Sequence, residues 1–402
     1  MPLTTPHQIE QHIARTMAFY HPRCIDPQAG FYHYLTDDGH IYNRHHRHLV
    51  SSTHYIVIYA RYAMHTGDKE YLGWARHGLR FLEESHYQTR TQGYAWTLDH
   101  CRPDDTTNHC YGLACVLLAY AAALKAGIPE ARDGLERVHA LQTRRFFEPR
   151  WQLYAAEADE HWHLSDYRGQ NANMLSCEAL IAAFEATGDR TLLERALNIA
   201  RTLWHKLAPV GEGWLWEHYD RHWHIDTDYH RDQPDDPLRP WGFQIGHQTQ
   251  WAKLMILLSR HCPAETWLIP MAKRLFIEAA EKGWDAKHGG LIYGVDYNRV
   301  ALNRDKVYWV QAESLAAAAM LGDLTGEARY WRWYDKIANY CWQHMIDHEH
   351  GAWYRILTPD NRRYSREKSP AGKTDYHTLG ACYDILPIMR RQHGEGQSVS
   401  TV

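Results

Sequence analysis

A short turn-plus-aromatic segment occurs six times along the chain, at intervals of about 60 residues. Its copies are Gly30-Phe31-Tyr32-His33, Gly93-Tyr94-Ala95-Trp96, Arg150-Trp151-Gln152-Leu153, Gly213-Trp214-Leu215-Trp216, Gly290-Leu291-Ile292-Tyr293 and Gly351-Ala352-Trp353-Tyr354. Self-similarity of this kind constrains the architecture more than any single motif, because each repeat is one supersecondary unit that packs against its neighbours. The sequence therefore predicts six related units.

Each unit has a helical pattern, and three units share a nearly identical break between two helical runs. The breaks are Thr66-Gly67-Asp68, Thr187-Gly188-Asp189 and Thr325-Gly326-Glu327. The runs before the breaks, at 55–65, 179–186 and 314–321, are apolar nearly all round, whereas the runs after them, at 71–84, 192–207 and 330–344, are apolar on one face. We expect the first type to lie inside and the second to cover it.

Six such pairs make about twelve helices, and a closed ring leaves no end repeat uncovered. We therefore predict an all-α fold, an (α/α)6 barrel of six helical hairpins, with short β segments at one rim. Residues 1–402 are expected to form a single catalytic domain, with 393–402 as a flexible polar tail. An insertion at 226–240, rich in Asp and Pro, is interpreted as a loop over the pocket mouth.

The composition excludes several classes of partner. With 45% hydrophobic and 23% charged residues and a formal net charge of -4, the chain is globular and has no basic stripe for nucleic acid. No apolar run approaches the ~20 residues that cross a bilayer, and no targeting segment begins the chain. We expect a cytoplasmic protein, monomeric or homodimeric, whose eight scattered cysteines are reduced.

Polar side chains recur at the predicted start of every inner helix. They are Arg47 and His54; Asn108, His109 and Tyr111; Asn171 and Asn173; His247 and Gln250; Trp309, Gln311 and Glu313; and Tyr376 and His377. A lone polar residue there is normally a cap, but six clusters in the same phase predict one shared pocket on the barrel axis. The 17 Trp and 26 Tyr supply flat apolar faces with a polar edge, which suit a sugar.

Three motifs carry a family resemblance. They are Gly246-His247-Gln248-Thr249-Gln250-Trp251, which follows Arg239-Pro240-Trp241-Gly242, then Tyr308-Trp309-Val310-Gln311-Ala312-Glu313, and Lys373-Thr374-Asp375-Tyr376-His377. In order and spacing they resemble the N-acylglucosamine 2-epimerase superfamily from Phe19 to Leu386. Within that superfamily the chain is most similar to the mannose isomerases and related aldose–ketose isomerases.

The resemblance implies a pocket for an opened monosaccharide, with His247 and His377 as the general acid and base. Aldose–ketose interconversion needs removal of the C2 proton, an enediol and delivery of a proton to C1, and imidazole can take and give a proton near neutrality. The side chains expected to contact the sugar are His54, Tyr111, Asn171, Leu175, Arg239, Gln250, Trp309 and Glu313. For Glu313 the alternative is a buried partner that fixes an arginine.

Four positions depart from the pattern of these isomerases. Leu175 stands where His is usual, Gln250 where Glu is usual, His54 where Arg is usual, and Ile245 where Pro commonly precedes the Gly-His pair. Loss of Arg and Glu together keeps the local charge balanced. Leu175 replaces a polar contact by an apolar wall and relaxes hydroxyl recognition, so a changed substrate or reduced mannose activity is an alternative.

Three other functions compete with isomerisation. A sugar 2-epimerase would use the same residues but return the proton to C2 on the opposite face. A glycoside hydrolase or lyase would need a carboxylate pair, and we find no partner for Glu313 at the pocket phase. A sugar-binding protein without catalysis is opposed by the presence of both His247 and His377.

We expect neither a metal nor a cofactor. Closely spaced imidazoles occur at His161-Trp162-His163, His222-Trp223-His224 and His348-Glu349-His350. None has the helical spacing of the HExxH motif, and in a chain with 30 His such pairs arise often. No P-loop or dinucleotide fingerprint occurs either.

Overall fold

Twelve α-helices make up about half of the computed structural model, which describes residues 2–236 and 238–394. In chain order they are α1 (Pro6–Tyr20), α2 (Leu49–Thr66), α3 (Lys69–Phe81), α4 (Cys110–Lys125), α5 (Ala131–Phe146), α6 (Gln170–Thr187), α7 (Arg190–Thr202), α8 (Ile245–His261), α9 (Leu268–Gly283), α10 (Tyr308–Thr325), α11 (Ala328–Tyr340) and α12 (Tyr376–Gln392). Of the predicted tail, 393–394 form a turn and 395–402 lie outside the described residues.

The even-numbered helices form an inner ring, and the odd-numbered helices cover it. Each inner helix packs against the next along the chain, and α12 packs against α2, which closes the ring. Helices α3, α5, α7, α9 and α11 each pack on the inner helix before them, whereas α1 packs on α12. The predicted (α/α)6 barrel is confirmed, with the sixth pair made from the two ends of the chain.

The recurring Thr-Gly-Asp break explains how an inner helix turns into an outer one. Gly67 ends α2 with a φ of +72°, and its N–H donates to the carbonyl of Ala63. A side chain is strained in this left-handed conformation, so glycine is favoured. The Asp68 side chain then accepts from the N–H of Glu70 and caps the start of α3.

Short strands ring one end of the barrel, as predicted. They are β1 (Tyr34–Thr36), β2 (Ile41–Asn43), β3 (His46–His48), β4 (Tyr87–Gln88), β5 (Gly93–Tyr94), β6 (Thr97–Asp99), β7 (Arg102–Asp105), β8 (Asn108–His109), β9 (Phe147–Glu148), β10 (Leu153–Tyr154), β11 (Glu157–Ala158), β12 (Arg168–Gly169), β13 (His218–Tyr219), β14 (Phe243–Gln244), β15 (Gly294–Val295), β16 (Ala301–Asn303), β17 (Lys306–Val307), β18 (Ile356–Leu357) and β19 (Glu367–Ser369).

These strands connect neighbouring units at the rim where the inner helices begin. The antiparallel pairs β3–β6, β8–β11, β12–β13, β14–β15 and β17–β18 each join the strand before an inner helix to a strand of the next unit. The pair β1–β19 joins the two ends of the chain and completes the circle. The rim is thereby fixed independently of the helix packing.

Inner-helix amides hold the turn-plus-aromatic segments in place. Asn173 accepts from the backbone N–H of Tyr154 at 2.8 Å and donates to its carbonyl at 2.9 Å. Gln311 makes the same two bonds to Leu291, at 2.9 and 2.7 Å. Both amides were predicted to point into the pocket, and that prediction is wrong because backbone groups occupy both ends of each amide.

The core is a continuous cluster of buried side chains from Leu3 to Met389. Small residues dominate where inner helices meet, as at Ala316–Ala319 of α10, so that six helices can approach one axis. In the part of the chain that is described, none of these helices is long and apolar enough to cross a membrane.

Candidate active site

The candidate site lies at the strand-lined rim, where the inner helices begin. His247 stands in the first turn of α8, and Trp309 and His377 are the second residues of α10 and α12. The side chains of the two histidines are 12% and 13% exposed, so each ring reaches solvent in a largely buried setting.

His247 is held by a buried carboxylate. Its Nδ1 lies 3.0 Å from both oxygens of Glu217, whose side chain is 4% exposed. Gln170 donates from Nε2 to Glu217 at 2.8 Å, and the indole N–H of Trp251 donates to Gln170 Oε1 at 2.9 Å. Gln170 Nε2 also lies 2.9 Å from Nδ1, but both carboxylate oxygens face this nitrogen as acceptors, so the geometry favours the tautomer with the proton on Nδ1 and the lone pair on Nε2.

His377 has the same arrangement with a different second partner. Its Nδ1 lies 2.7 Å from Glu313 Oε1, and the ammonium of Lys253 lies 2.5 Å from Glu313 Oε2. Burial opposes ionisation of Glu313, but Lys253 and then His377 outweigh it and hold its pKa at about 2. Glu313 is therefore a carboxylate across the working pH range.

Trp309 lies between the two histidines. Its ring centroid is 5.0 Å from that of His247 and 6.1 Å from that of His377. The approach to α8 depends on Gly246, because a Cβ there would lie 2.4 Å from Trp309 Cζ3. The Gly-His motif therefore serves packing, and the indole lies beside both imidazoles.

His54 and Gln250 belong to one network beside His377. The ring of His54 stacks on Tyr376 at 4.2 Å and meets His377 edge-on at 6.0 Å. Tyr376 donates to Glu178 Oε1 at 2.9 Å, and Gln250 donates to Glu178 Oε2 at 3.1 Å. Burial, followed by the charge of His377, lowers the pKa of His54 well below 6.5, so His54 is neutral at neutral pH.

Arg239 lies in a separate cluster on the insertion. Its guanidinium pairs with Glu157, donates to the Tyr229 hydroxyl at 3.0 Å and covers the ring of Tyr167 at 4.1 Å. The described residues of 226–240 form turns and bends, in agreement with the predicted loop. Arg239 therefore fastens this loop to the rim.

The remaining predicted residues differ in their burial. Tyr111 and Asn171 are half-buried in the first turns of α4 and α6, where they can face the axis. Leu175 is 3% exposed and belongs to the core cluster, and Ile245 is fully buried against Gly283. Leu175 and Ile245 are therefore packing residues in this structure.

Four polar residues of the site were missed by the sequence analysis. They are Gln170, Glu178, Glu217 and Lys253. Glu217 directly follows the Trp-Leu-Trp segment of the fourth unit, and Lys253 is a charge within the apolar run Trp251–Leu258. A buried charge needs a partner, so a lone lysine in an apolar run was a usable signal.

The closely spaced histidines are explained by turns. Asp159 accepts from the backbone N–H groups of His161 and His163, and Asp220 does so for His222 and His224. Within residues 2–236 and 238–394, no group of three or more His, Cys, Asp or Glu side chains could hold a metal ion.

Comparison with known proteins gives concordant results. The family model described as N-acylglucosamine 2-epimerase matches residues 30–381. A D-mannose isomerase of Marinomonas mediterranea is 48% identical over 95% of this chain and 97% of its own length. A crystal structure of a D-mannose isomerase has a TM-score of 0.94 at 46% identity and covers 96% of this chain and 98% of its own. A cellobiose 2-epimerase from Bacillus thermoamylovorans, at 19% identity with a TM-score of 0.83, covers 95% and 98% and shares the fold.

Proposed function

This chain belongs to the N-acylglucosamine 2-epimerase family and is an enzyme that catalyses isomerisation, and we propose that it interconverts D-mannose and D-fructose. One observation carries the choice of site. Two histidines, each held through Nδ1 by a buried carboxylate, flank the ring of Trp309. The name of the 48% identical relative supplies the substrate.

The proposed reaction moves one proton between neighbouring carbons of the opened sugar. One histidine takes the proton from C2, the electron pair of the C2–H bond forms the C1–C2 double bond, and the carbonyl oxygen at C1 accepts a proton. The resulting enediol then loses the proton of its C2 hydroxyl and accepts a proton at C1, which gives the ketose. The net change is one proton from C2 to C1 and one from O2 to O1.

Each carboxylate contributes by fixing its ring. With the proton held at Nδ1, Nε2 of His247 and of His377 can accept from carbon or, once protonated, donate to it. The carboxylate also stabilises the imidazolium formed during transfer, as in other acid–base sites. The apolar face of Trp309 orients the C–H side of the sugar between the two rings.

Product analysis in deuterated water tests this proposal. Purified protein incubated with D-mannose should give D-fructose that carries one deuterium at C1. Glucose labelled at C2 without accumulated ketose would replace isomerisation by 2-epimerisation. Lyxose, glucose and cellobiose serve as competing substrates, and a higher kcat/KM for any of them would overturn the assignment of mannose.

A further inference from the structure

Lys253 is a buried cation that the proposed reaction does not yet use. It lies on α8, six residues after His247, and its side chain is 6% exposed. Its ammonium contacts Glu313 of α10 at 2.5 Å and approaches Asp384 of α12 at 4.0 Å. Lys253 thus connects the helix of one histidine to the carboxylate that holds the other.

A buried ion pair between two helices has a large desolvation cost. Desolvation of an ammonium and a carboxylate costs several kcal/mol, and well-packed apolar residues often do as well. The neighbouring residues Ala252, Leu254 and Met255 are fully buried and apolar, so the helix contact does not depend on a charge. The charge of Lys253 therefore calls for a role besides packing.

The contact with Glu313 supplies that role, because Glu313 controls the proton on His377. When Glu313 is ionised, Nδ1 of His377 donates to it and Nε2 keeps its lone pair. When Glu313 is protonated, its O–H donates to Nδ1 and the ring proton moves to Nε2. In that second tautomer His377 cannot accept a proton from the sugar.

We propose that Lys253 is a positioning residue that keeps Glu313 ionised and thereby selects the tautomer in which His377 can act as a base. The inference rests on the proposed role of His377. It assigns Lys253 no contact with the substrate.

The charged surroundings keep Lys253 itself protonated. Burial favours the neutral amine, but Glu313, Glu178 and Asp384 outweigh it and raise the pKa of Lys253 above 10.5. The titratable and charged groups that face this pair are Arg61 on α2, Tyr111 on α4, Glu178 on α6, Tyr308 on α10, and Tyr376, His377 and Asp384 on α12. A change in pH profile after removal of Lys253 therefore reports on Glu313 and His377.

A cavity makes Lys253 experimentally accessible. It has a volume of about 550 Å³, is lined by Lys253 and Glu313, and extends to Lys125, Arg260 and Arg390, the exposed residues at the far ends of three inner helices. A small amine can therefore replace a deleted Lys253 side chain without passing the strand-lined rim where the sugar binds.

The test compares Lys253→Met with wild type for kcat, KM and pH dependence on mannose. We expect kcat to fall about 10- to 100-fold at pH 7, by analogy with the loss of an outer group that orients a functional side chain. KM should be nearly unchanged. Because Glu313 must now lose its proton without a cation, activity of the variant should recover as pH rises. The control Lys273→Met removes a half-buried lysine paired with Glu327 on the outside and should leave kcat unchanged.

Two further measurements separate this role from a structural one. Methylammonium should restore activity to Lys253→Ala, whereas tetramethylammonium, which has no N–H donor, should not. In a Glu313→Gln background, Lys253→Met should have little additional effect on kcat. An unaltered pH profile with no rescue would overturn the proposal, and full activity of His377→Ala would instead overturn the proposed function.

Discussion

Glu217 and Glu313 lie at similar distances from the imidazoles they hold, 3.0 and 2.7 Å, but they come from different parts of the fold. Glu217 directly follows a turn-plus-aromatic segment at the rim, whereas Glu313 is part of inner helix α10. The second partner of Glu217 is the neutral amide of Gln170, and that of Glu313 is the ammonium of Lys253.

This difference shows two ways of orienting a histidine. A neutral amide adds a hydrogen bond without a second buried charge, so Glu217 is held by hydrogen bonds alone. An ammonium fixes the ionisation of Glu313, but either partner becomes an isolated buried charge if the other is removed. The two units should therefore respond alike to loss of the imidazole and differently to loss of the carboxylate.

The largest expected effect is loss of either imidazole. His247→Ala and His377→Ala should each lower kcat on mannose by about 10²- to 10⁴-fold, the range for a general acid or base. Steady-state kinetics, with circular dichroism as a control for folding, gives the answer. Near-normal turnover in one variant would show that the two units are not equivalent.

Replacement of the carboxylates by amides should separate the units. Glu313→Gln leaves Lys253 buried without its nearest counter-charge and should lower the free energy of unfolding by about 3–5 kcal/mol. Glu217→Gln leaves no buried cation and should cost about 1 kcal/mol. Urea titration measures both values, and equal losses would contradict the contrast between the two sites.

The sequence predicted the ring because the ring depends on local and repeated patterns, whereas the role of the two histidines was implied by the family resemblance. The Thr-Gly-Asp breaks, the apolar inner runs and the short rim strands are all encoded within single units. The partners of His247 and His377 could not be found in this way. Glu217 lies 30 residues before His247, and Glu313 lies 64 residues before His377, so neither spacing is a helical or strand period. Lys253 contacts Glu313 only after α8 and α10 have packed together.

The expectation that polar residues near the start of each inner helix face the barrel axis also selected too many residues. Asn173 and Gln311 are the fourth residues of α6 and α10, and their amides bind backbone groups of Tyr154 and Leu291. Each stands two positions after a residue predicted for the pocket, and a two-residue step turns a side chain by about 200°, to the other side of the helix.

A third prediction concerns two histidines of the core. His12 and His86 are buried, and burial lowers the pKa of each from 6.5 to about 4. The unfolded chain therefore binds more protons than the folded one between these values, and stability is lost as pH falls from 6.5 to 4. Each neutral ring contributes up to about 3 kcal/mol to the pH-dependent part of the free energy of unfolding, and thermal unfolding at several pH values measures its loss. Constant stability over this range would show that neither ring is neutral in the fold.

The smallest effect concerns the two departures beside His377. Among the described residues no hydrogen bond joins Gln250 to His54, but both contact the Tyr376–Glu178 pair. Gln250 donates to Glu178 at 3.1 Å, and His54 stacks on Tyr376 at 4.2 Å. Gln250→Glu alone places two carboxylates side by side and should lower kcat/KM, because like charges that close repel. His54→Arg adds a cation next to the same pair and should offset part of that loss.

The double variant should therefore show a coupling energy of about 1 kcal/mol in kcat/KM on mannose. Gln250→Glu combined with Glu217→Gln is the matched control, because Glu217 belongs to the His247 unit and contacts neither Tyr376 nor Glu178 by a hydrogen bond among the described residues. That combination should be additive. Coupling in the control but none with His54→Arg would mean that the two histidine units communicate through Trp309, and the division of the site into separate halves would have to be abandoned.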